Sequence, residues 1–415
     1  MSIASNLVID RDRLWESLEA MARIGATEKG GCNRQTLTDL DGEGRRLFQS
    51  WCEAAGMTMA VDSMGTMFAR REGAEPGLDP VGVGSHLDTQ PTGGKYDGVL
   101  GVLAGLELVR TLNDLGVRTR RPIEIVNWTN EEGARFAPSM LASGVYAGAY
   151  EEGWAKARAD RDGLVFGEEL RRIGFEGAEP VGARKLHAFF ELHIEQGPIL
   201  EDEGVDIGVV THGQGLRWFD VHVTGQDSHA GTTPMGRRRD AMLGAARLIA
   251  AVEEIALAHA PHAVGTVGIA SAAPASRNVI PGGAYFSVDF RHPEQAVIDA
   301  MAAELEARAA ALATASGLEI VVSGVEGHAP VAFDPDCVAR VRDAAQALGL
   351  SHRDMISGAG HDACHVAKVA PSAMVFCPCE GGLSHNEAEA ITPDWAAAGA
   401  NVLARAVVET AEIVD

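Results

Sequence analysis

Three short apolar runs constrain the fold of this chain more than any other feature: Val81 to Ser85, Ile123 to Thr129 and Phe189 to Ile194. Each reads as a buried strand. Between the first two, Val99, Val102, Leu103, Leu106, Val109 and Leu112 recur at helical spacing, so an amphipathic helix is expected over 99–115. Strand and helix in alternation predict an α/β layer with a mainly parallel sheet. In such sheets ligands bind beyond the carboxyl ends of the strands. His86, Glu131 and His193 lie at or just past those ends.

The middle of the chain changes rhythm. Strands are expected over 219–224, 264–270, 284–290 and 318–323, and Ala-rich helices over 237–259 and 294–316. The order βαββαβ is that of the ferredoxin-like split. It places a second domain at 214–327, inserted into a first domain built from 1–213 and 328–415. A helix over 341–348, a strand over 373–376 and a last helix over 393–413 complete the first domain. A length of 415 residues suits two domains.

No apolar run approaches the ~20 residues that span a bilayer, so no membrane partner is expected. Residues 1–13 lack the basic start and apolar block of a signal peptide, which makes a cytoplasmic location the expectation. The net charge of −23 argues against a nucleic-acid partner, which needs a basic face. The six cysteines are sparse and read as reduced thiols, including the close pair Cys377 and Cys379.

The histidines and acids form a pattern of their own. Gly84-Ser85-His86-Leu87-Asp88 is followed by Gly94-Lys95-Tyr96-Asp97-Gly98, then Glu131-Glu132, His193 and His385. Such a set can hold two divalent ions and still leave a carboxylate free as a base. Asp97 is the best candidate to bridge them; taken alone it is equally a turn residue or helix cap. Asp88, two residues from His86, is expected to share its strand face and fix its tautomer. Glu131 and Glu132 are expected to point to opposite sides of an extended backbone, one toward a metal and one toward the reactive water. A rival pair, His361 and His365, has the i, i+4 spacing of a helical zinc motif. With Gly358-Ala359-Gly360 before it, His361 reads as a substrate-side residue and His365 as structural. The run Arg237-Arg238-Arg239 reads as a solvated helix start.

Taken together, GSHLDTQPTGGKYDGVLGVLAGLE, NWTNEEGARFAP, ELHIEQGP, TGQDSHAGTTPM, SRNVIPGG, SVDFRHP, SGAGHDA and LSHNEAE resemble the dinuclear zinc amidohydrolases. That family includes N-carbamoyl-L-amino-acid hydrolases, yeast-type β-ureidopropionases and allantoate amidohydrolases. More distantly the chain is similar to aminoacylases and carboxypeptidase-like peptidases. The resemblance implies that His86, Asp97, Glu132, His193 and His385 hold two metals and that Glu131 is the general base. It points to His229, Asn278 and Arg291 in the inserted domain, and to Gln196, Gly360 and His361, as substrate contacts. It also implies a homodimer joined through a lid-like inserted domain.

The residues themselves agree. Arg291 at a strand end offers a planar clamp for a carboxylate, and His229 in a Gly- and Thr-rich loop can stabilise an oxyanion. The expected substrate is a small ureido acid, an N-carbamoyl-L-amino acid or N-carbamoyl-β-alanine. Allantoate, an N-acyl amino acid or peptide, and a non-catalytic metal-binding protein are the alternatives. Zinc leads as the metal, and the same ligands accept manganese, cobalt or nickel.

Overall fold

The structure, a computed structural model, describes residues 7–414. The expectation about residues 1–13 falls in part on residues 1–6, outside the described residues. The chain divides into two compact units, Met1–Thr211 with Ala332–Asp415, and His212–Val331.

The first unit is built on a nine-stranded mixed sheet. Its centre is four parallel strands, in the order Ile123–Trp128, Val81–His86, Ala188–Ile194 and Ser372–Cys377. Every residue of these four strands is buried, as expected for strands covered on both faces. Antiparallel strands flank them: Met67–Arg71 and Thr58–Val61 on one side, Ile207–Gly213 on the other. The helix Val99–Asp114 buries Val102, Leu103, Leu106 and Val109. Each such side chain contributes about 1.5–3 kcal/mol of burial free energy. The last helix, Pro393–Ala411, is capped by Thr392, whose side chain accepts from the Trp395 amide.

The second unit has a five-stranded antiparallel sheet and two long helices. Gly215–Thr224 lies between Gly283–His292 and Glu319–His328, and Val264–Thr266 and Ala270–Ala273 pair with Gly283–His292. Along Gly283–His292 buried and half-buried residues alternate. Phe286, Val288 and Phe290 pack into the core with the helices Ala241–Ala258 and Gln295–Ser316. Tyr285, Asp289 and Arg291 occupy the other face.

Several expected bounds shift. The strand expected over 264–270 is two short strands. The helix expected over 341–348 is Pro335–Ala347, because Asp334 caps it and Pro335 starts it. The arginine run is not a helix start. Arg237 ends a short 3-10 turn, and the helix begins at Ala241 behind the cap Asp240. No helix among the described residues is long and apolar enough to cross a membrane.

Candidate active site

The metal-capable side chains of the first unit come from the carboxyl ends of the parallel strands and the loops beyond them. His86 ends Val81–His86, and His193 is the penultimate residue of Ala188–Ile194. Asp97 precedes the helix Val99–Asp114. Between them Gly98 has φ +68°, and a Cβ there would lie 2.3 Å from His86 Nε2, so both backbone and space require glycine. Asp97 Oδ1 lies 3.0 Å from His193 Nε2 and 3.5 Å from His86 Nε2. Its Oδ2 lies 3.4 Å from His385 Nε2, which is also 3.4 Å from Glu132 Oε2. Two clusters result, His86–Asp97–His193 and Asp97–Glu132–His385, each with its ligand atoms within 4.8 Å of one another. Asp97 belongs to both. Glu131 belongs to neither, with Oε2 3.5 Å from His86 Nε2.

The histidine tautomers follow from their neighbours. Nδ1 of His86 lies 2.9 Å from the Asp88 carbonyl oxygen, and Nδ1 of His193 lies 2.9 Å from that of Ile194. A carbonyl only accepts, so Nδ1 carries the proton and Nε2 turns its lone pair into the cluster. Burial drives the Glu131 carboxyl well above its usual range, His86 opposing and Asp362 and Glu132 reinforcing the shift. Burial likewise pushes Glu132 up to about 7, with Asp97 adding to the effect. Burial would also raise Asp97, yet His193, His385 and His86 hold it well below. His86 is raised well above its usual value, because Glu131, Asp97 and Asp88 outweigh burial. The site thus concentrates carboxylates that raise the affinity of its histidines for positive charge, a proton or a divalent cation alike. The donor set fits a pair of such cations. His86 Nε2 is buried without a hydrogen-bond partner, and imidazole nitrogen with carboxylate oxygen is transition-metal ligand chemistry.

A third grouping, Glu191–His193–His361, shares His193. Its other members are engaged: Glu191 accepts from Ser85 Oγ and the Ala363 amide, and His361 Nε2 lies 2.9 Å from Ser357 Oγ. His361 is buried with its ring 4.5 Å from that of His193, and burial together with His193 lowers its pKa well below the usual value.

Two local expectations change, and the rival helical zinc pair does not form. Asp88 lies past the strand end; its backbone carbonyl is the hydrogen-bond acceptor of His86 Nδ1, and its carboxylate Oδ1 stands 3.8 Å from the same nitrogen. The Asp88 carboxylate instead accepts from the Glu131 and Glu132 amides, both at 3.3 Å. Glu131 and Glu132 are not on extended backbone. They follow Asn130, whose φ of +60° starts a turn, and they diverge toward His86 and His385 because the turn fans them apart. His361 is the cap of the five-residue helix Asp362–Val366, so it shares no helix face with His365. His365 packs against the Tyr150 ring, 5.8 Å away. Asn130, Gln196 and His385 all have left-handed backbone. Each such residue costs on the order of 1 kcal/mol, a strain that gathers at functional sites.

Gln196 places its amide nitrogen 2.8 Å from Asp97 Oδ2 and 3.0 Å from Ser384 Oγ, while its Oε1 is buried without a hydrogen-bond partner. Gly360 packs on Met140; a Cβ would lie 2.8 Å from Met140 Cε. In the second unit His229 and Asn278 come together: His229 pairs with Val279 in a two-stranded ribbon, and the Ala230 amide donates to the Asn278 carbonyl. His229 Nδ1 accepts from the Gly231 and Thr232 amides, so Nε2 carries the proton. Arg238 braces this loop by donating to the Thr233 and Ala230 carbonyls. Arg291, near the end of Gly283–His292, grips both oxygens of Asp289.

Residues 82–409 match peptidase family M20/M25/M40. The chain belongs to this family. It is 59% identical to an N-carbamoyl-L-amino-acid amidohydrolase of Rhizobium meliloti, with 99% of each chain covered. It is 35% identical to a ureidoglycolate hydrolase of Arabidopsis thaliana, covering 97% of this chain and 87% of that one. A crystal structure of a hydantoinase/carbamoylase family amidase from Burkholderia multivorans superposes with a TM-score of 0.94 at 55% identity, over 98% of both chains. The match to the M20/M25/M40 family spans every residue of the two clusters.

Two residues beside the ligand clusters escaped the sequence reading. Ser384 donates to Asp97 Oδ2 at 3.0 Å, and Glu389 accepts from the Tyr96 and Asp97 amides. Both stand in the motif LSHNEAE, but no spacing links them to a loop nearly three hundred positions earlier.

Proposed function

We propose that this chain is a metal-dependent amidohydrolase that removes the carbamoyl group from an N-carbamoyl-L-amino acid. The observation that carries the reading is Asp97 shared between two ligand clusters with Glu131 left outside both. The full-length relationship to the Rhizobium meliloti amidohydrolase supports the substrate class.

His86, Asp97, Glu132, His193 and His385 would hold two divalent cations, zinc first, with manganese, cobalt or nickel acceptable to the same donors. When bound, such a pair lowers the pKa of water and polarises the carbamoyl oxygen. Glu131 takes a proton from the attacking water and returns it to the departing amino nitrogen. The bond from carbamoyl carbon to that nitrogen breaks, and the carbamate released falls to ammonia and carbon dioxide. Asp88 keeps both glutamates in place through their amides. His229, protonated at Nε2, donates to the developing oxyanion. Arg291 and Asn278 orient the substrate carboxylate, Gln196 offers its free Oε1 to a ureido N–H, and Gly360 and His361 line the path.

The second unit is read as an inserted ferredoxin-like βαββαβ lid that also forms a homodimer. The His229 ribbon adjoins the Gly283 end of the strand Gly283–His292, whereas Arg291 lies eight residues along, about 27 Å away at ~3.4 Å per residue. That span exceeds a small ureido acid, so a site using His229, Asn278 and Arg291 takes them from two copies. Free thiols suit a reducing compartment, and a cytoplasmic location is part of this reading.

The test is amine release from N-carbamoyl-L-amino acids, N-carbamoyl-β-alanine, ureidoglycolate, allantoate and N-acetyl amino acids. Turnover confined to the carbamoyl-L-amino acids is expected. Turnover of only ureidoglycolate, allantoate or N-acetyl substrates would keep the site and overturn the substrate.

A further inference from the structure

The cluster Asp97–Glu132–His385 draws its ligands from both ends of the chain. Asp97 is delivered by the loop Gly93–Gly98, His385 by a loop close to the last helix. Glu389 lies where these loops meet. It is 2% exposed, and its Oε1 accepts from the Tyr96 amide at 2.9 Å and from the Asp97 amide at 3.1 Å. Its Oε2 lies 3.2 Å from Ser384 Oγ, which in turn reaches Asp97 Oδ2 at 3.0 Å. One carboxylate thus holds the backbone of the bridging residue through two amides, while standing four residues from His385. Gly94 makes room for it: a Cβ there would lie 1.9 Å from the Glu389 carboxyl carbon and 2.0 Å from Oε1.

We propose that Glu389 is the positioning residue that joins the two loops and so assembles the second cation site, Asp97–Glu132–His385. It touches neither cation nor substrate. It acts by holding Asp97 and His385 at bridging distance, with Gly94 as the space that admits it. Groups behind metal ligands set affinity by orienting them, with losses of about 10–100-fold when they are removed. The inference rests on the metal-dependent reading above.

The experiment titrates chelator-stripped protein with Zn²⁺ by calorimetry, without substrate. Wild-type protein is expected to take up two ions per protomer. Glu389→Ala should weaken the second by about 10–100-fold and the first, which keeps His86 and His193, by less. Gly94→Ala should reproduce that split with Glu389 present, because the new methyl displaces the carboxylate. Glu389→Gln keeps an oxygen for the two amides and should recover most of the second affinity. Should Glu389→Ala fail to fold, Gly94→Ala and Glu389→Gln carry the test. Two unchanged affinities in the alanine variants would overturn the proposal, as would a Gln variant no better than Ala, since charge and not position would then be the cause. Wild-type protein that binds no Zn²⁺ would bring down the functional reading and this inference with it. Zn²⁺ bound as predicted, with no carbamoyl turnover, would overturn the function and leave the role of Glu389 standing.

Discussion

The two units differ in how far they bury their polar residues, with His385 the exposed ligand of the first. In the first, His86, Asp97, Glu131 and His193 are buried, and the loops that carry them are braced from behind by Asp88, Ser384 and Glu389. In the second, His229 is exposed and accepts from two amides, and Arg291 is half-buried and donates to Asp289. Burying carboxylates raises the cost of leaving them unpaired, and that cost drives cation binding. Exposed groups stay free to meet a small molecule and let it go. On the proposed reading the first unit supplies the cation ligands and the base, and the second the oxyanion donor and the carboxylate contacts.

The largest effect should come from the braced unit. Glu131→Gln is expected to lower kcat by about 10²–10⁴-fold while cation content stays unchanged; metal analysis beside steady-state kinetics checks both halves. Near-normal turnover would remove the base assignment. In the second unit, His229→Ala should lower kcat by about 10²–10³-fold, the usual cost of one oxyanion donor. Mixing inactive Glu131→Gln protein with either His229→Ala or Arg291→Ala protein sharpens the comparison. One of the two mixtures should regain about a quarter of wild-type activity through hybrid dimers. If neither recovers, the division across two copies fails.

A smaller effect is expected at Arg291. Its replacement by alanine should raise KM for carboxylate substrates by about 10–100-fold, the loss of charge-assisted hydrogen bonds, with kcat less affected. An unchanged KM would show that the carboxylate is bound elsewhere.

The smallest effect on turnover is expected at a buried acid outside both sets. Asp62 is buried and accepts from the Met64 and Thr66 amides at 2.9 Å, and burial raises its pKa to about 7. A folded-state value above the unfolded ~3.9 means that the native state holds the proton more tightly. Stability present below pH ~4 is therefore lost as pH rises toward 7, at no more than about 1.4 kcal/mol per pH unit. Asp62→Asn keeps the acceptor oxygen and should flatten that slope. Denaturant unfolding at pH 5 and pH 8 reads it, and an unaltered slope would contradict the account.

The parallel core was legible because each central strand is a short apolar run with a polar end. The antiparallel flank Thr58–Val61 and Met67–Arg71 was not, since Arg70 and Arg71 break the apolar pattern at the end of a strand that is paired on both sides. The site's main residues were visible for the same reason as the strands: His86 and His193 close apolar runs. What spacing could not show was orientation. Asp88 two residues after His86 implied a carboxylate contact, and tertiary structure used its carbonyl instead. Glu131-Glu132 implied an extended pair, and the left-handed Asn130 made a turn. Glu389 was invisible because its partners are backbone amides, which carry no residue identity.

The most direct test of the central claim is divalent-cation content and carbamoyl turnover measured on one sample through chelation and metal return. The account predicts two ions per protomer, loss of turnover as they are removed, and recovery when Zn²⁺ or Mn²⁺ is restored. Full turnover in protein shown to hold no divalent cation would contradict it.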